Sequence, residues 1–539
     1  MIGLKEGEEL WRKYCSFFDK PFSEQVEYNN NQMQKYFEKW KKTKMAKKLC
    51  PKGAKKLEDV PLTTYDDYPI LHDFGARIER LSETVPRRKG ESLWNYYDRI
   101  SRKAVPMLDG WMVDEYAFCA KTSGTTGESK WFAHGKEFWE NCRNSIMAAT
   151  VIACTDERGT TKIKKGDKVL NVGPPVPYIS GYIVVHSLGF LKPIPPLEVT
   201  DNILNFRKKV MLGLKAIEKG TRIDYFGGLP AGIHLTYEYL SDKESFFKEY
   251  YQSMNFGFLK LIMFIIWLKC KIRGKKCKKI SELMPLKGIA GGGVDLKLYL
   301  DFFKDELGVE YLNDYGSTEL GFGAHGRPDR KSDLVFDLRT GFYEFLNEKG
   351  EIKKIDELSK GNVYEVVGTP FGSTLIRYRI GDLLKLIDFQ DGNPIFDFAG
   401  RTVDILNVYG WFRMTHDIAL NALKRAGLSS TDKWAIIKDV KPKEKIRVLM
   451  ENTWQYSERE AEKRIFNALV ETYSDFNDYI KGFKIKDPSE VVKVEYLRKG
   501  AFLRYTMKKS KDGSAMGQIK PPKIIPPEKI EVADMLRGV

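Results

Sequence analysis

The middle of the chain alternates short apolar runs with longer amphipathic stretches. From about residue 115, β-rich runs such as KVLNVG (168–173), YEVVGTP (364–370) and LLKLIDF (383–389) are separated by glycines and by helical stretches. Short strands that alternate with helices are typical of α/β layers. The expected fold class is therefore α/β.

The two ends of the chain have a different pattern from this middle part. The first hundred residues are typical of helices. After Gly400, the runs KWAIIKDV and KIRVLMEN predict paired strands, residues 457–473 predict an amphipathic helix, and VVKVEYL predicts another strand. We expect a large multi-layer N-terminal domain over residues 1–399 and a small α+β domain over 400–539. Within the first, we expect a helical part at 1–114 and a ligand-binding part at 115–399.

Composition excludes several classes of protein. A chain of 539 residues exceeds the roughly 250 to 300 residues that one core supports. A hydrophobic content of 42% is enough for a packed interior, which excludes disorder, collagen and a multi-span transporter. The 89 Lys and Arg against 73 Asp and Glu give a net charge of +16. This excess predicts an anionic partner without distinguishing nucleotide, nucleic acid and lipid.

The pattern of cysteines and the first residues of the chain predict the cellular compartment of the protein. The seven cysteines are scattered and form no C-x-x-C pair, which supports neither a disulfide framework nor a zinc site. The first residues, MIGLKEGEELWRKYC, lack the apolar core of a signal peptide. We expect an uncleaved, cytoplasmic protein.

Two further segments leave alternatives open. Residues 35–56 contain ten lysines and one acid, with three aromatics on one helical turn; a solvated face is favoured over a nucleic-acid surface, so no nucleic-acid partner is expected. Residues 258–271, FLKLIMFIIWLKCK, are shorter than the about 20 apolar residues that span a bilayer. A buried helix is favoured there over an interfacial membrane helix with a polybasic flank.

The segment KTSGTTGESK at residues 121–130 is the sharpest chemical signal. Its glycines let the backbone approach an anion, its hydroxyls add donors, and its last lysine adds positive charge. It is not a P-loop, because only two residues separate the glycines and no hydroxyl follows the lysine. We predict a phosphate cradle, called the phosphate loop below. Its predicted binding residues are Thr122, Ser123, Gly124, Thr125, Thr126, Gly127 and Lys130.

Three later segments follow the phosphate loop in a recognisable order. They are DYGSTE (314–319), YRIGD (378–382) and GRTVD (400–404). Together with the loop they resemble the Y-G-x-T-E, Y-R-x-G-D and G-R-x-D-D motifs of the adenylate-forming superfamily, which includes acyl-CoA synthetases, peptide-synthetase adenylation domains and firefly luciferase. The stretch AGGG (290–293) lies where these enzymes have a glycine-rich turn against adenine.

The resemblance implies a role for each motif residue, with ATP and Mg²⁺ as cofactors. The implied adenine contacts are Tyr315, Gly316, Gly292 and Gly293. Thr318 would donate to the α-phosphate, and Glu319 would hold magnesium. Asp382 would accept from the ribose hydroxyls, assisted by Arg401.

Within the superfamily, four short stretches resemble the acyl-acid amido synthetases known from plant auxin conjugation. They are VPLTTYDDY (60–68), FYEF (342–345), STLIRYRIGD (373–382) and GQIKPP (517–522). The implied activity is activation of a carboxylic acid as an acyl-adenylate, followed by acyl transfer to an amine, in most cases an amino acid. The segment DILNVYG (404–410) also resembles acyl-CoA synthetases, so thioester formation on CoA stays an alternative. A non-catalytic nucleotide-binding or peripheral membrane protein is a third. Aromatic-rich segments suit an aryl or a fatty acyl group.

The chain departs from the superfamily pattern at two places. Val403 stands where most members carry a polar hinge residue, and only Asp404 is acidic. The catalytic lysine of the C-terminal lid has its nearest counterpart in Lys520, which lies in a lysine-rich tail. We expect the lid to pivot near residues 403–404. Among the histidines, His186 and His234 are candidate bases for the acceptor, although a structural role is favoured for both.

Overall fold

The structure is a computed structural model. It describes residues 5–122, 130–171, 175–200, 212–213, 215–217, 219–228, 286–292, 296, 299–402, 406–408, 412–428, 433–439, 445–451, 455–473, 476–477, 480, 485–511, 521–526 and 529–538. Residues 258–271, for which we favour a buried helix, lie outside these ranges. Within them, no helix has the length and apolar character that crossing a membrane requires.

The chain divides into two compact units. The first comprises Met1–Thr236, Lys278–Ile380 and Leu384–Asp397, and the second includes Gly381–Leu383 and Phe398–Val539. The predicted domains at 1–399 and 400–539, and the role of the second as a lid, stay predictions.

The first unit begins with helices, as the sequence predicts, and most of the helices that the structure describes in it precede the main sheet. The helices are α1 (Glu6–Tyr14), α2 (Phe22–Trp40), α3 (Lys44–Leu49), α4 (Pro69–Thr84), α5 (Leu93–Arg102), α6 (Lys136–Ala153), α7 (Ile179–Ser187), α8 (Leu197–Thr200) and α9 (Leu300–Leu307). Helix α5 begins where the Ser92 side chain accepts a hydrogen bond from Asn95 N, which satisfies one free N–H of the first turn.

The rings of α2 that sequence analysis considered for nucleic-acid stacking lie in the core. Tyr36, Phe37 and Trp40 are 3%, 6% and 0% exposed. The Tyr36 hydroxyl donates to the Ser373 carbonyl at 3.0 Å, which ties the helix to a loop far along the chain. These rings pack the interior and offer no face to a base.

The strands of the first unit form a hairpin and one large sheet. They are β1 (Tyr116–Lys121), β2 (Trp131–Gly135), β3 (Lys168–Leu170), β4 (Lys192–Ile194), β5 (Tyr225–Gly227), β6 (Gly288–Gly291), β7 (Tyr311–Ser317), β8 (Gly321–Arg327), β9 (Arg330–Phe336), β10 (Gly341–Leu346), β11 (Ile352–Lys354), β12 (Val363–Pro370), β13 (Tyr378–Gln390) and β14 (Asn393–Arg401). The chain leaves the first unit within β14.

The large sheet has twelve strands, and its strand pairing changes from parallel to antiparallel across the sheet. Its order is β11-β10-β12-β13-β14-β9-β8-β7-β6-β5-β3-β4. From β3 to β7 neighbouring strands are parallel, whereas β7 to β9 pair antiparallel. The predicted β-rich runs at 364–370 and 383–389 lie within β12 and β13, and the first three residues of the run at 168–173 form β3. The expected alternation with helices is wrong for residues 311–401, because hairpin turns join antiparallel strands there directly.

The second unit contains a four-stranded sheet. Its elements are β15 (Leu406–Val408), β16 (Phe412–Met414), α10 (His416–Ala426), β17 (Trp434–Asp439), β18 (Lys445–Glu451), α11 (Glu458–Thr472), β19 (Val492–Leu497), α12 (Ala501–Lys511), β20 (Ile524–Ile525) and α13 (Ile530–Arg537). The sheet order is β19-β18-β17-β20, with β17 and β18 antiparallel. The predicted strand pair, amphipathic helix and third strand are confirmed.

Candidate active site

The phosphate loop connects the two strands of a β-hairpin. Strands β1 and β2 pair so that Lys121 lies opposite Trp131. The two ends of the loop are bonded to each other: Thr122 N donates to Lys130 O, and Lys130 N donates to Thr122 Oγ1, both at 2.9 Å. The predicted binding residues between these ends lie outside the described residues: Ser123, Gly124, Thr125, Thr126 and Gly127.

Lys130 lies over an aromatic ring that comes from the N-terminal helical part. Its Nζ is 5.2 Å from the centre of the Tyr65 ring. The Tyr65 hydroxyl bonds both backbone groups of Trp131 at 3.2 Å, accepting from N and donating to O. Burial, reinforced by the negative charge of Glu319, raises the pKa of Tyr65 to about 12. Tyr65 is therefore neutral, and its hydroxyl fixes the backbone of Trp131, the first residue after the phosphate loop.

The DYGSTE segment spans the end of one strand and a tight turn. Tyr315 and Gly316 lie in β7, and Thr318 and Glu319 lie in the turn before β8. The turn is closed by Leu320 N, which donates to Ser317 Oγ at 2.9 Å. A Cβ on Gly316 would come 2.8 Å from the Phe322 ring, so glycine is needed for this packing. Thr318 is buried and Glu319 is half-buried.

A buried histidine joins the hairpin to this turn. His134 lies in β2, is 0% exposed, and stacks on Phe138 with ring centres 3.8 Å apart. Its Nε2 is 3.0 Å from the Thr318 carbonyl oxygen. Burial lowers the pKa of His134 to about 3, and a carbonyl can only accept, so the ring is neutral and Nε2 carries the proton. The bond holds Thr318 and Glu319 in a fixed position relative to β2.

Lys130 and Glu319 are thus both associated with Tyr65. The lysine lies over the ring, and the carboxylate acts electrostatically on its hydroxyl. Sequence reasoning missed Tyr65 and His134. The only available signals were the position of Tyr65 in VPLTTYDDY and of His134 in the strand after the loop.

The glycine-rich turn lies beside the strand that carries Tyr315. Strand β6 pairs parallel with β7, with Gly291 opposite Asn313. A Cβ on Gly292 would come 2.1 Å from the Asp314 carbonyl oxygen, so only glycine permits this approach. Gly293 lies outside the described residues. Tyr315 is 7% exposed and contacts Phe336 edge to face.

Asp314, next to Tyr315, is a half-buried residue with a buried carboxyl oxygen, and sequence reasoning did not single it out. Burial raises its pKa to about 7. Its Oδ1 has no hydrogen-bond partner among the residues that the structure describes. The group is therefore sensitive to pH close to neutrality.

Three of the stretches that resemble the amido synthetases form one buried cluster. Thr63 Oγ1 donates to the Ile376 carbonyl at 2.7 Å, and Ile376 N donates to the Tyr68 hydroxyl at 3.0 Å. Arg377 binds both carboxylate oxygens of Glu344 at 2.9 Å. The backbone of Arg377 has φ 45°, a left-handed conformation that these contacts maintain. The cluster also positions the segment that contains Tyr65.

Two predicted ribose-binding residues are paired in the second unit. Arg401 Nε is 2.7 Å from Asp382 Oδ1. The adjacent Gly381 has φ +79°, and a Cβ there would come 2.9 Å from Thr402 Oγ1. Val403, Asp404 and Lys520 lie outside the described residues. Their predicted roles stay predictions.

Of the two candidate histidine bases, the structure describes His186. It is 3% exposed, packs against Trp139 at 4.0 Å between ring centres, and has its pKa lowered to about 3 by burial. A structural role fits this environment, as the sequence analysis favours. His234 lies outside the described residues.

The strands that contain the Glu344–Arg377 and Asp382–Arg401 pairs lie in a segment that matches a known family model. Residues 334–401 match the GH3 family central domain. The predicted resemblance to the acyl-acid amido synthetases is thereby confirmed.

Sequence relatives agree with the GH3 match. The probable indole-3-acetic acid-amido synthetase GH3.7 of Oryza sativa subsp. japonica is 28% identical over 192 residues, which are 31% of this chain and 28% of that protein. The first curated relatives are matched over half of their own length or less.

Solved structures show the fold. The acyl acid amido synthetase AtGH3.15, in complex with 2,4-DB, has a TM-score of 0.64 at 15% identity, covering 95% of both chains. A 2-hydroxyisobutyryl-CoA ligase in the postadenylation state has a TM-score of 0.54 at 14% identity, covering 90% of this chain and 88% of that chain. The α/β fold is therefore shared with amide-forming and thioester-forming ligases.

Proposed function

We propose that the protein activates a carboxylic acid with ATP and then transfers the acyl group to the amine of an amino acid. The acid would attack the α-phosphorus to form an acyl-adenylate and release pyrophosphate. The amine would then attack the acyl carbon, release AMP and lose a proton. The GH3 central domain and relatives named amido synthetases support this proposal. The observation that carries it is the bond from His134 to Thr318, which joins the phosphate loop hairpin to the Thr318–Glu319 turn.

The residues of the phosphate loop suit the binding of the β- and γ-phosphates, which leave as pyrophosphate. Thr122, Lys130 and the intervening loop would bind the β- and γ-phosphates, and Lys130 would contribute the positive charge. Thr318 would donate to the α-phosphate. His134 is neutral and its Nε2 proton is already donated to Thr318 O, so it would orient this turn rather than take a proton.

The site also fits a magnesium ion that comes with ATP. Magnesium in nucleotide sites is held by one or two carboxylates together with phosphate oxygens and water. Glu319 supplies one half-buried carboxylate, and the described residues contain no cluster of three or more metal-ligating side chains. Glu319 would therefore hold the ion against the phosphates. When bound, the ion supplies positive charge that neutralises them.

The remaining nucleotide contacts follow from the motif positions. Tyr315, Gly316 and the turn at Gly292 and Gly293 would contact adenine, and Asp382 with Arg401 would bind the ribose hydroxyls. Lys520 would neutralise the α-phosphate and the acid when the C-terminal part closes as a lid. The proposed acid carries an aryl or a fatty acyl group, and the name of one relative, which includes indole-3-acetic acid, supports the aryl acid.

A second candidate is an acyl-CoA ligase, favoured by the fold shared with the 2-hydroxyisobutyryl-CoA ligase. The same experiment separates the two. Pyrophosphate exchange over a panel of carboxylic acids identifies the acid, and an acceptor screen with amino acids and CoA follows. Exchange with amide product supports the proposal; exchange with only thioester product selects the ligase. Absence of exchange with every acid would overturn both.

A further inference from the structure

A cavity of about 220 Å³ lies in the first unit, away from the phosphate loop. Arg327, at the end of β8, lines it, whereas the Thr318–Glu319 turn lies at the start of β8. A strand of seven residues separates these two ends by roughly 20 Å. Its polar lining residues are Asp19, Lys20, Arg158, Arg327, Gln390, Asp391 and Asn393.

Arg327 brings a buried positive charge to this cavity. It is 6% exposed, and its guanidinium lies 4.0 Å from the centre of the Phe18 ring. Its NH1 donates to the His325 carbonyl oxygen at 3.2 Å, and burial lowers its pKa to about 10. No carboxylate of the described residues forms an ion pair with it.

The carboxylate that offsets part of this charge is bound by a second arginine. Asp337 is 0% exposed and receives Arg339 Nε at 2.8 Å and Arg339 NH2 at 2.7 Å. Asp337 also attracts Arg327 electrostatically, but its ion pair is with Arg339. Because an unpaired buried charge is costly, an anion in the adjoining cavity would stabilise Arg327.

The cavity also offers acceptors. Gln390 Oε1 is buried and has no hydrogen-bond partner within the described part of the chain. Asp19 and Asp391 add carboxylates, and Asp19 Oδ2 accepts from Trp11 Nε1 at 2.7 Å. A simple anion would leave these acceptors unsatisfied and would be repelled by the two carboxylates.

We infer that this cavity binds a small zwitterion of the α-amino acid class. The ligand carboxylate pairs with Arg327 and Arg158, and the ligand ammonium donates to Gln390 Oε1 and Asp391. A volume of about 220 Å³ is below the roughly 300 Å³ at which pockets for drug-sized ligands begin, which suits one amino acid and excludes a nucleotide. The inference does not depend on the proposed catalytic function.

The test is calorimetric titration of the full chain, without ATP, with a panel of L-amino acids. The matching carboxylic acids that lack the amine, and inorganic phosphate, form the other arms. We expect a subset of the L-amino acids in the panel to bind. Arg158→Ala and Arg327→Met should each weaken this binding by about tenfold or more, since each removes a charged hydrogen-bonding partner. Met preserves the bulk of the buried side chain if Arg327→Met folds.

Two controls distinguish this cavity from other sites. Arg158 is exposed and lies 3.7 Å from Asp329. Arg102→Ala removes another exposed arginine that is paired with one aspartate, Asp98 at 3.0 Å, and should leave binding unchanged. Lys130→Ala, at the phosphate loop, should also leave it unchanged. No binding up to about 10 mM, equal binding of the deaminated acids, binding of phosphate alone, or binding insensitive to Arg158→Ala would each overturn the inference.

Discussion

The Nε2 proton of His134 is donated to the carbonyl oxygen of Thr318, 3.0 Å away and 184 positions along the chain. The histidine belongs to the strand that leaves the phosphate loop, and the threonine begins the turn that carries Glu319. Because the ring is stacked on Phe138 at 3.8 Å, it cannot shift without disturbing the core. One hydrogen bond therefore links the two parts of the proposed nucleotide site.

We predict that His134→Leu reduces both stability and adenylation. Loss of the donor leaves the buried Thr318 carbonyl unsatisfied, which costs about 1 to 3 kcal/mol, and displacement of the turn by about 1 Å can cost about a hundredfold in rate. His134→Gln, which keeps a side-chain donor, should lose less of both. Urea unfolding and pyrophosphate exchange measure the two effects. Equal losses in both variants would contradict a role for the hydrogen bond.

Lys130→Ala and Glu319→Ala are each expected to lower pyrophosphate exchange by at least about a hundredfold with the fold intact, because each removes a charge that acts on the phosphates. Lys136→Ala is the matched control. It removes an exposed lysine at the start of α6, 2.6 Å from Glu115, and should leave exchange unchanged. Near-normal exchange in Lys130→Ala, with circular dichroism unchanged, would rule out the phosphate loop as the site.

Asp382→Asn is expected mainly to raise the KM for ATP by about tenfold, with a smaller change in kcat, because ribose contacts are equally strong in the ground and transition states. Asp388→Asn, on the same strand and paired with Arg330 at 2.9 Å, is the control. Steady-state kinetics with varied ATP separates the parameters. An unchanged KM for ATP in Asp382→Asn would argue against ribose binding at this position.

Asp314 predicts a pH dependence of stability. Burial raises its pKa from 3.8 to about 7 in the folded chain, so between these values the folded state holds a proton that the unfolded state has lost. The free energy of unfolding therefore falls as pH rises through this window. Asp314→Asn cannot titrate and should lose less stability between pH 5 and pH 8.

Thermal unfolding at several pH values compares Asp314→Asn with the parent protein. The exposed Asp301 on α9 supplies a control in Asp301→Asn. Parallel pH profiles for Asp314→Asn and the parent would show that Asp314 does not hold its proton at neutral pH.

The amino-acid sequence by itself determines the local elements and the order of the motifs. The strands at Trp434–Asp439 and Lys445–Glu451 and the helix at Glu458–Thr472 follow from the spacing of apolar residues, because strand and helix periods are local properties. The phosphate loop and the DYGSTE segment could likewise be identified from their own residues. Even the stretches that resemble the amido synthetases were recognisable before their contacts were known.

Only the tertiary structure decided which of these segments meet. The Tyr65 ring under Lys130, the Glu344–Arg377 pair and the cavity at Arg327 join residues that are far apart in the chain. The antiparallel run of β7 to β9 was also missed, since a strand's own pattern does not specify its neighbour. Such contacts depend on how the elements pack. The spacing of apolar residues within one segment therefore could not predict the hydrogen bond between His134 and Thr318.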